Sequence, residues 1–597
     1  MKQLWESPPR RDGTASLPVI FYAVCGVGIV GSCAAYAALV LYSASWPEAA
    51  ALRTFYAWEP RAYTAAEFAA LRGALAGLAL AALGLATGLG LALAGREQLR
   101  RLGQEIASSA RGLAAGWRGL ARRQRCWAGG LLLALTALRL YYSTVIIPAD
   151  DGVSYEVFVR ARLLVVSAAY PMPNNHIGSN TLNWLFYQLH PGFWWSMRLP
   201  VMLTSTAATV LWFLTLLRRS SFRVAVLAVS LFSVLQLSLF HAASGRGYWL
   251  LLGLGAVGFF AVLELTAQAA GRAPRVRAAW LGLGLSGVLG LYTVPTHGYF
   301  LFSAYGWLGL VALRRRAWPL LVAAVALGGL TLLGAGLLYA PLLLVSGPGL
   351  LFHNNYVLPL ATGAFWRQLP VYLWLNEGWL SGHRWLGVLP LLAVLLGTGA
   401  WWRRAQAGLL PRDQAQLGQL LVPLSVWFIT TPYVLLLVQR VAAPERTLFY
   451  KALPACVLVA LLADWVLRVA QSRGRARALR ALLVGGGLVF TASQLYLVER
   501  HNAEQKQFWQ MLRQPMAWLA TQPVGPVLAP EPLPQFILCF FAHTEFRSQP
   551  WVIDSRPRPG VRYRYVVSPP GVRQVPGGPP VRGVPAFHGA ADIFVVQ

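Results

Sequence analysis

Runs of roughly 17 to 25 apolar residues, separated by short polar breaks, recur along most of this 597-residue chain. Each is long enough to cross the ~30 Å hydrocarbon core of a bilayer as a helix. Helices are expected rather than barrel strands, because lipid satisfies no backbone hydrogen bonds and the runs are far longer than a barrel strand. The pattern predicts about 13 membrane helices, near 18–43, 70–94, 127–147, 198–217, 223–241, 248–268, 279–296, 298–313, 318–345, 386–402, 417–438, 448–468 and 480–498. The first run is too long for the core of a cleaved signal and reads as a retained helix.

Charge sharpens that pattern. The formal charge of +30 would suggest nucleic acid if the chain were soluble, but its Arg residues fall in clusters between apolar runs. The clusters are "REQLRR" (96–101), "ARRQR" (121–125), "RR" (218–219), "GRAPRVR" (271–277), "RRR" (314–316), "RR" (403–404) and "RGRARALR" (473–480). With the N-terminus in the cytoplasm, the predicted spans put every cluster on one side, as the positive-inside rule expects of cytoplasmic loops. Nucleic acid is therefore not an expected partner; the lipid bilayer is.

The other side receives the loops 148–197 and 346–385, the corner "HAASGRGYW", the loop "QRVAAPERTLFYK" and everything after 499. Long aromatic loops on one membrane face are where a polytopic enzyme builds a site. "YEVFVRARLLVVSAA" has helical periodicity suited to the membrane interface. After about 501 come short β-prone runs between Pro/Gly-rich turns, among them "GPVLAP", "QFILCFFA", "YRYVVSP" and "DIFVVQ". The expected fold class is an all-α polytopic membrane protein with extracytoplasmic loop helices and a small C-terminal soluble α/β or β-rich domain. Its expected parts are 1–126, a hairpin with an Arg-rich cytoplasmic loop; 127–500, the membrane domain; and 501–597, the extracytoplasmic domain.

Two G-x-G-x-x-G patterns, Gly253/Gly255/Gly258 and Gly282/Gly284/Gly287, lie inside apolar runs rather than at strand-to-helix turns. Small residues there serve helix packing. Cys25, Cys33, Cys126, Cys456 and Cys539 are scattered, without the spacing of a zinc site or a disulfide framework.

The candidate chemistry starts where one apolar run ends, at "IIPADDGVSYEVF" (146–158). Adjacent carboxylates repel, and partial desolvation of such a pair leaves one able to accept a proton near neutral pH. The plainer alternative is acid exposed to interfacial water. Asp150 and Asp151 are followed by Tyr155, an amphipathic stretch, and then "YPMPNNHIGSNTLNWLF" (170–186). Asn174, Asn175 and His176 are suited either to hydrogen-bonding a sugar or to capping the helix that follows. "FHNNY" (352–356) repeats the theme with His353. Arg246 and Arg446 stand at outward helix ends, where a planar guanidinium can meet an anionic headgroup or simply anchor the interface.

On these residues the chain resembles the polyprenyl-phosphate-sugar-dependent membrane glycosyltransferases of the GT-C fold, near the bacterial relatives of protein O-mannosyltransferases and the aminoarabinose transferase. Those enzymes carry an Asp-Glu pair at the start of their first extracytoplasmic loop, and many follow it with Tyr and an Asn-Asn-His segment. This chain has Asp151 where Glu is usual, one methylene shorter. "SGRGYWLLLGL" (244–254), with Arg246 and Tyr248, resembles the family's Ala-Arg-Gly-Tyr corner. "PERTLFYKALP" (444–454), with Arg446, resembles the late loop whose Arg helps hold the lipid phosphate. The similarity spans roughly 127 to 500.

The resemblance implies an inverting glycosyltransferase that moves a sugar from a polyprenyl-phosphate carrier to a hydroxyl acceptor outside the membrane. It implies Asp150 as general base and Asp151 as its orienter. Tyr155, Asn174, Asn175, His176, Arg246, Tyr248 and Arg446 become substrate-binding candidates. No cofactor is obligatory on this reading; a divalent metal at Asp150, Asp151 and a His is the alternative, with no ligand spacing to fix it and no residues assigned to it. The rival class is a multi-pass transporter or lipid-linked-sugar flippase, whose hallmark of repeated halves is not evident in the chain.

Overall fold

The computed structural model describes residues 18–56, 64–171, 175–269, 276–352, 358–410, 412–472, 476–572 and 584–596. Asn174 and His353 lie outside these residues. Every predicted span coincides with helix. Among the described residues nine helices are long and apolar enough to cross a membrane, or ten if a bent pair counts as one. The helices Val276–Thr293, Gly298–Arg314 and Leu389–Gln406 occupy three more predicted positions, with 17 to 18 residues each.

The N-terminal hairpin, Val19–Tyr42 and Ala65–Leu91, is built for close approach. A side chain at Gly31 would meet Leu83 within 3.0 Å. Thr64 and Glu67 form a reciprocal capping box that starts the second helix, with Glu67 N donating to Thr64 Oγ1 at 3.2 Å. The hairpin is joined to the rest of the bundle through Tyr36, whose hydroxyl lies 2.8 Å from that of Ser167.

The next helix, Leu93–Arg118, straps the Arg-rich end of the bundle. Arg277 donates to Gln98 and Glu105 at 2.9 Å each, and Trp117 packs edge-on against Phe213. Arg218 also lies against this helix at Gly112. The Leu199–Arg219 helix runs from this end to the opposite one, about 30 Å away at 1.5 Å per residue. The glycine patterns lie at helix contacts: a Cβ on Gly258 would meet Phe300, and one on Gly287 would meet Thr331. Arg139, buried in mid-helix, reaches Thr209 at 2.7 Å and Ser233 at 3.2 Å and lies over the Trp249 ring.

Three expectations change on folding. The span 223–241 is not one helix. It breaks at Leu235 into Phe222–Val234 and Gln236–Ala243, bent by 68°. The new helix start is satisfied from elsewhere, since Gln494 Oε1 accepts the Gln236 N–H at 2.9 Å. The amphipathic stretch after the acidic pair is also broken, into Asp150–Ser154, a π-helical turn Tyr155–Val159, and Leu163–Ala168. Tyr155, Val157, Phe158 and Val159 are buried in protein rather than laid on an interface.

The third change is in the C-terminal region. The run "QFILCFFA" is helix, within Pro532–Thr544, because its apolar residues Phe536, Ile537, Phe540 and Phe541 recur at helical spacing and bury one face. Four short strands, β1 (Val527–Leu528), β2 (Ile553–Asp554), β3 (Tyr565–Ser568) and β4 (Asp592–Val595), form a sheet in the order β2-β1-β3-β4. β1 pairs in parallel with β2 and β3, while β3 and β4 are antiparallel. This part is therefore α/β. The helix leading into it, Ala476–Leu519, continues unbroken through 501, where the composition changes.

Candidate functional site

The acidic pair stands where the Arg122–Val145 helix ends and the five-residue helix Asp150–Ser154 begins. Both carboxylates occupy the first turn of that short helix, where exposed N–H groups favour negative charge. The fold then separates them. The Asp150 side chain is 75% exposed, and that of Asp151 is 2% exposed.

Asp151 is saturated. Its Oδ1 accepts from Ala149 N at 2.9 Å; its Oδ2 accepts from Arg198 Nε and from Gly245 N, both at 3.2 Å. Arg198 in turn donates through Nη1 to the carbonyls of Ser143 (2.8 Å) and Ile146 (2.7 Å), which the end of the preceding helix leaves unbonded. Asp151 and Arg198 thus lock three chain segments together: the helix end at 146, the start of the 199–219 helix, and the corner before Arg246. Each partner adjoins a π-helical turn, Tyr155–Val159 after the acids and Trp194–Arg198 before the helix.

Gly152 follows directly, and a Cβ there would lie 3.3 Å from Phe540 and 3.4 Å from Trp509. The C-terminal helix therefore rests on the backbone that carries the acids. Glu156 extends this contact to His543 at 2.9 Å.

Asp150 faces a cavity of about 330 Å³. Its Oδ2 lies 2.5 Å from Arg246 Nη1. Arg246 also directs Nη2 to His176 Nε2 at 3.0 Å, while its Nε has no acceptor among the described residues. Burial alone would lower the Arg246 pKa, but the nearby carboxylates, led by Asp150, outweigh it and raise it. Gly247 N also lies 3.2 Å from His176 Nδ1; a neutral imidazole accepts at one ring nitrogen only, so the tautomer decides which of the two contacts is the hydrogen bond. With donors on both sides an imidazolium has no acceptor. Burial, reinforced by the Arg246 charge, holds the His176 pKa well below its ordinary value, so the ring is neutral.

Of the residues singled out in the sequence, Asp150, Asp151, Arg246, Tyr248 and Arg446 line this one cavity. Asn175 and His176 line a smaller one of about 100 Å³, which shares Tyr248 and Arg446 as a partition. Asn175 spends its amide on Val166 and Ala169 carbonyls at 2.9 Å and accepts from Asn180, so it shapes the preceding turn instead of capping the helix. Tyr155 is not brought to either cavity. Its hydroxyl donates to Pro191 O at 2.6 Å and its ring packs on Phe193 and Phe540, burial that pushes its pKa up to about 12. Among the described residues no cluster of three or more His, Cys, Asp or Glu is arranged to hold a metal.

Several residues at the site carried no local signal. Arg198 reads in sequence as an ordinary interfacial helix start. His241 is the last residue of the predicted span 223–241 and opens the corner "HAASGRGYW"; it reaches the cavity through the bend at Leu235. Trp379, Glu445, His501 and Gln505 complete the lining. For His501 and Gln505 the i, i+4 spacing was the available clue.

The fold is that of a polytopic membrane protein, with its candidate site at the end of the bundle opposite the Arg-rich strap. Among solved structures, ArnT from Cupriavidus metallidurans bound to undecaprenyl phosphate is similar, with a TM-score of 0.50 over 78% of this chain and 97% of that one, at 11% identity. That identity makes the likeness one of fold. No family model and no curated protein matches the chain.

Proposed function

We propose that this protein is an inverting glycosyltransferase that moves a sugar from a polyprenyl-phosphate carrier to a hydroxyl acceptor on the outer face of the cell membrane. The observation that carries this reading is that Asp150, Arg246 and Arg446 line one cavity at the ends of membrane helices. A lipid-linked phosphate must keep its tail in the bilayer and its headgroup at such a depth. The similarity to ArnT, solved with undecaprenyl phosphate, supports a carrier of that kind.

In this reaction Asp150 takes the proton from the acceptor hydroxyl as its oxygen attacks the anomeric carbon. The bond from that carbon to the phosphate oxygen breaks, and the electron pair leaves with the carrier. Arg246 and Arg446 stabilise the charge that grows on the phosphate, and the unpartnered Nε of Arg246 is a donor in reserve. Asp151, tied to Arg198, holds the backbone of Asp150 and acts as a positioning residue. His176 stays neutral and buttresses the Arg246 fork. In the proposed orientation the N-terminus and Arg clusters are cytoplasmic, and the C-terminal α/β unit is outside.

The test is Asp150→Asn in vesicles supplied with radiolabelled lipid-linked sugars. Transfer is expected to fall by about 10²- to 10⁴-fold with carrier binding retained. Transfer at the wild-type rate removes the proposed base, and movement of substrate across the membrane without bond cleavage favours a transporter.

A further inference from the structure

Beyond the phosphate-facing residues, the cavity has a second polar wall. His241 is 6% exposed, lines the cavity, and has no partner on either ring nitrogen among the described residues. An unpaired buried imidazole costs free energy, and native structures rarely leave one without purpose. Its placement is deliberate. The ring is held against Tyr248, with centroids 4.2 Å apart, by a helix that exists only because the span bends at Leu235 and Gln494 satisfies the new start. His501 and Gln505, one turn apart on the Ala476–Leu519 helix, line the same cavity, and Trp379 adds an aromatic surface.

We infer that His241, His501 and Gln505 form a hydroxyl-binding wall for the sugar of the carrier. The inference rests on the carrier reading above. A sugar ring has hydroxyls around its edge, which need groups able both to donate and to accept, and C–H faces, which need apolar surface. Imidazole and amide side chains supply the first; Trp379 supplies the second.

The experiment compares the detergent-solubilised full chain with its His241→Phe, His241→Asn and Gln505→Leu variants. Dissociation constants are measured for undecaprenyl phosphate and for the same carrier bearing mannose. Wild type is expected to bind the mannose form about fivefold or more tighter than bare carrier, the gain of one or more net hydrogen bonds. His241→Phe keeps the ring stack and Gln505→Leu keeps the volume. Each is expected to cut the mannose gain to below about twofold while bare-carrier affinity stays put, and His241→Asn to restore part of it. An unchanged mannose gain in both variants overturns the inference. A wild-type protein that binds no undecaprenyl phosphate overturns the carrier reading instead. The wall is then read with methyl α-mannoside by saturation-transfer NMR: loss of its signal in His241→Phe supports the wall, and persistence overturns it.

Discussion

The two ends of the helix bundle use the same ion pairs to different effect. At the Arg-rich end Glu97 accepts from Arg100 and Arg101, with side chains 34%, 61% and 52% exposed. At the site end Asp151 and Arg198 are 2% and 4% exposed, and the pair holds two backbone carbonyls and a corner N–H besides. Water screens the first set, so its geometry decides little. The second is cut off from water, so each charge depends on its partner and the partner's position becomes obligatory. Between them stands Arg277–Glu105, at the Arg-rich end but only 14% and 10% exposed, which latches the strap helix to the bundle. What separates structural charge from surface charge here is desolvation.

Breaking the buried lock should have the largest effect. Arg198→Met leaves Asp151 charged and unpaired, a loss of about 3–5 kcal/mol, read as a fall in melting temperature. Adding Asp151→Leu should recover much of it, because the orphaned charge goes too; a double variant as unstable as the sum would sever the pair from the comparison.

The next effect comes from pH. His176 is held neutral in the native state, while the unfolded chain takes up a proton near the ordinary imidazole value of about 6.5. The unfolded state therefore binds more protons below that pH. The contribution is fully present above about 6.5 and is lost as pH falls, by up to about 1.4 kcal/mol per unit. Melting temperatures from pH 8 to 5 should decline, and His176→Asn should flatten that decline; a rise on acidification would contradict the neutral ring.

The smallest effect belongs to Glu97. Arg100 and Arg101 hold its carboxyl at about 2, so its pairing is present above the usual carboxylate range and lost only as pH falls toward 2. Surrounding water screens the pairing, and Glu97→Gln should leave the melting temperature unchanged within error. A measurable drop there would erase the contrast between the two ends.

Much of this was legible in the chain. Arg246 and Tyr248 from one corner of the chain and Arg446 from another meet at one cavity with the acidic pair. The glycine patterns proved to be helix contacts, as their place in apolar runs implied. Tyr155 shows the limit: its spacing from the acids was informative, but a π-helical turn points it into the core with Phe193 and Phe540. The break at Leu235 had no local signal either. No Pro or Gly marks "SVLQLSLF", and the bend is sustained by Gln494, 258 residues from its hydrogen-bond partner Gln236.

By itself the sequence determined where helices cross the membrane, because span length and apolar period are local properties that lipid reads one segment at a time. It also determined which corners carry ionisable groups. Only the tertiary structure decided that Asp150 faces the cavity while its neighbour Asp151 is consumed by Arg198, and that His241 is exposed to the cavity at all. Those outcomes depend on which groups are desolvated together. That is a property of many segments at once, and adjacent residues with the same side chain carry no mark of it.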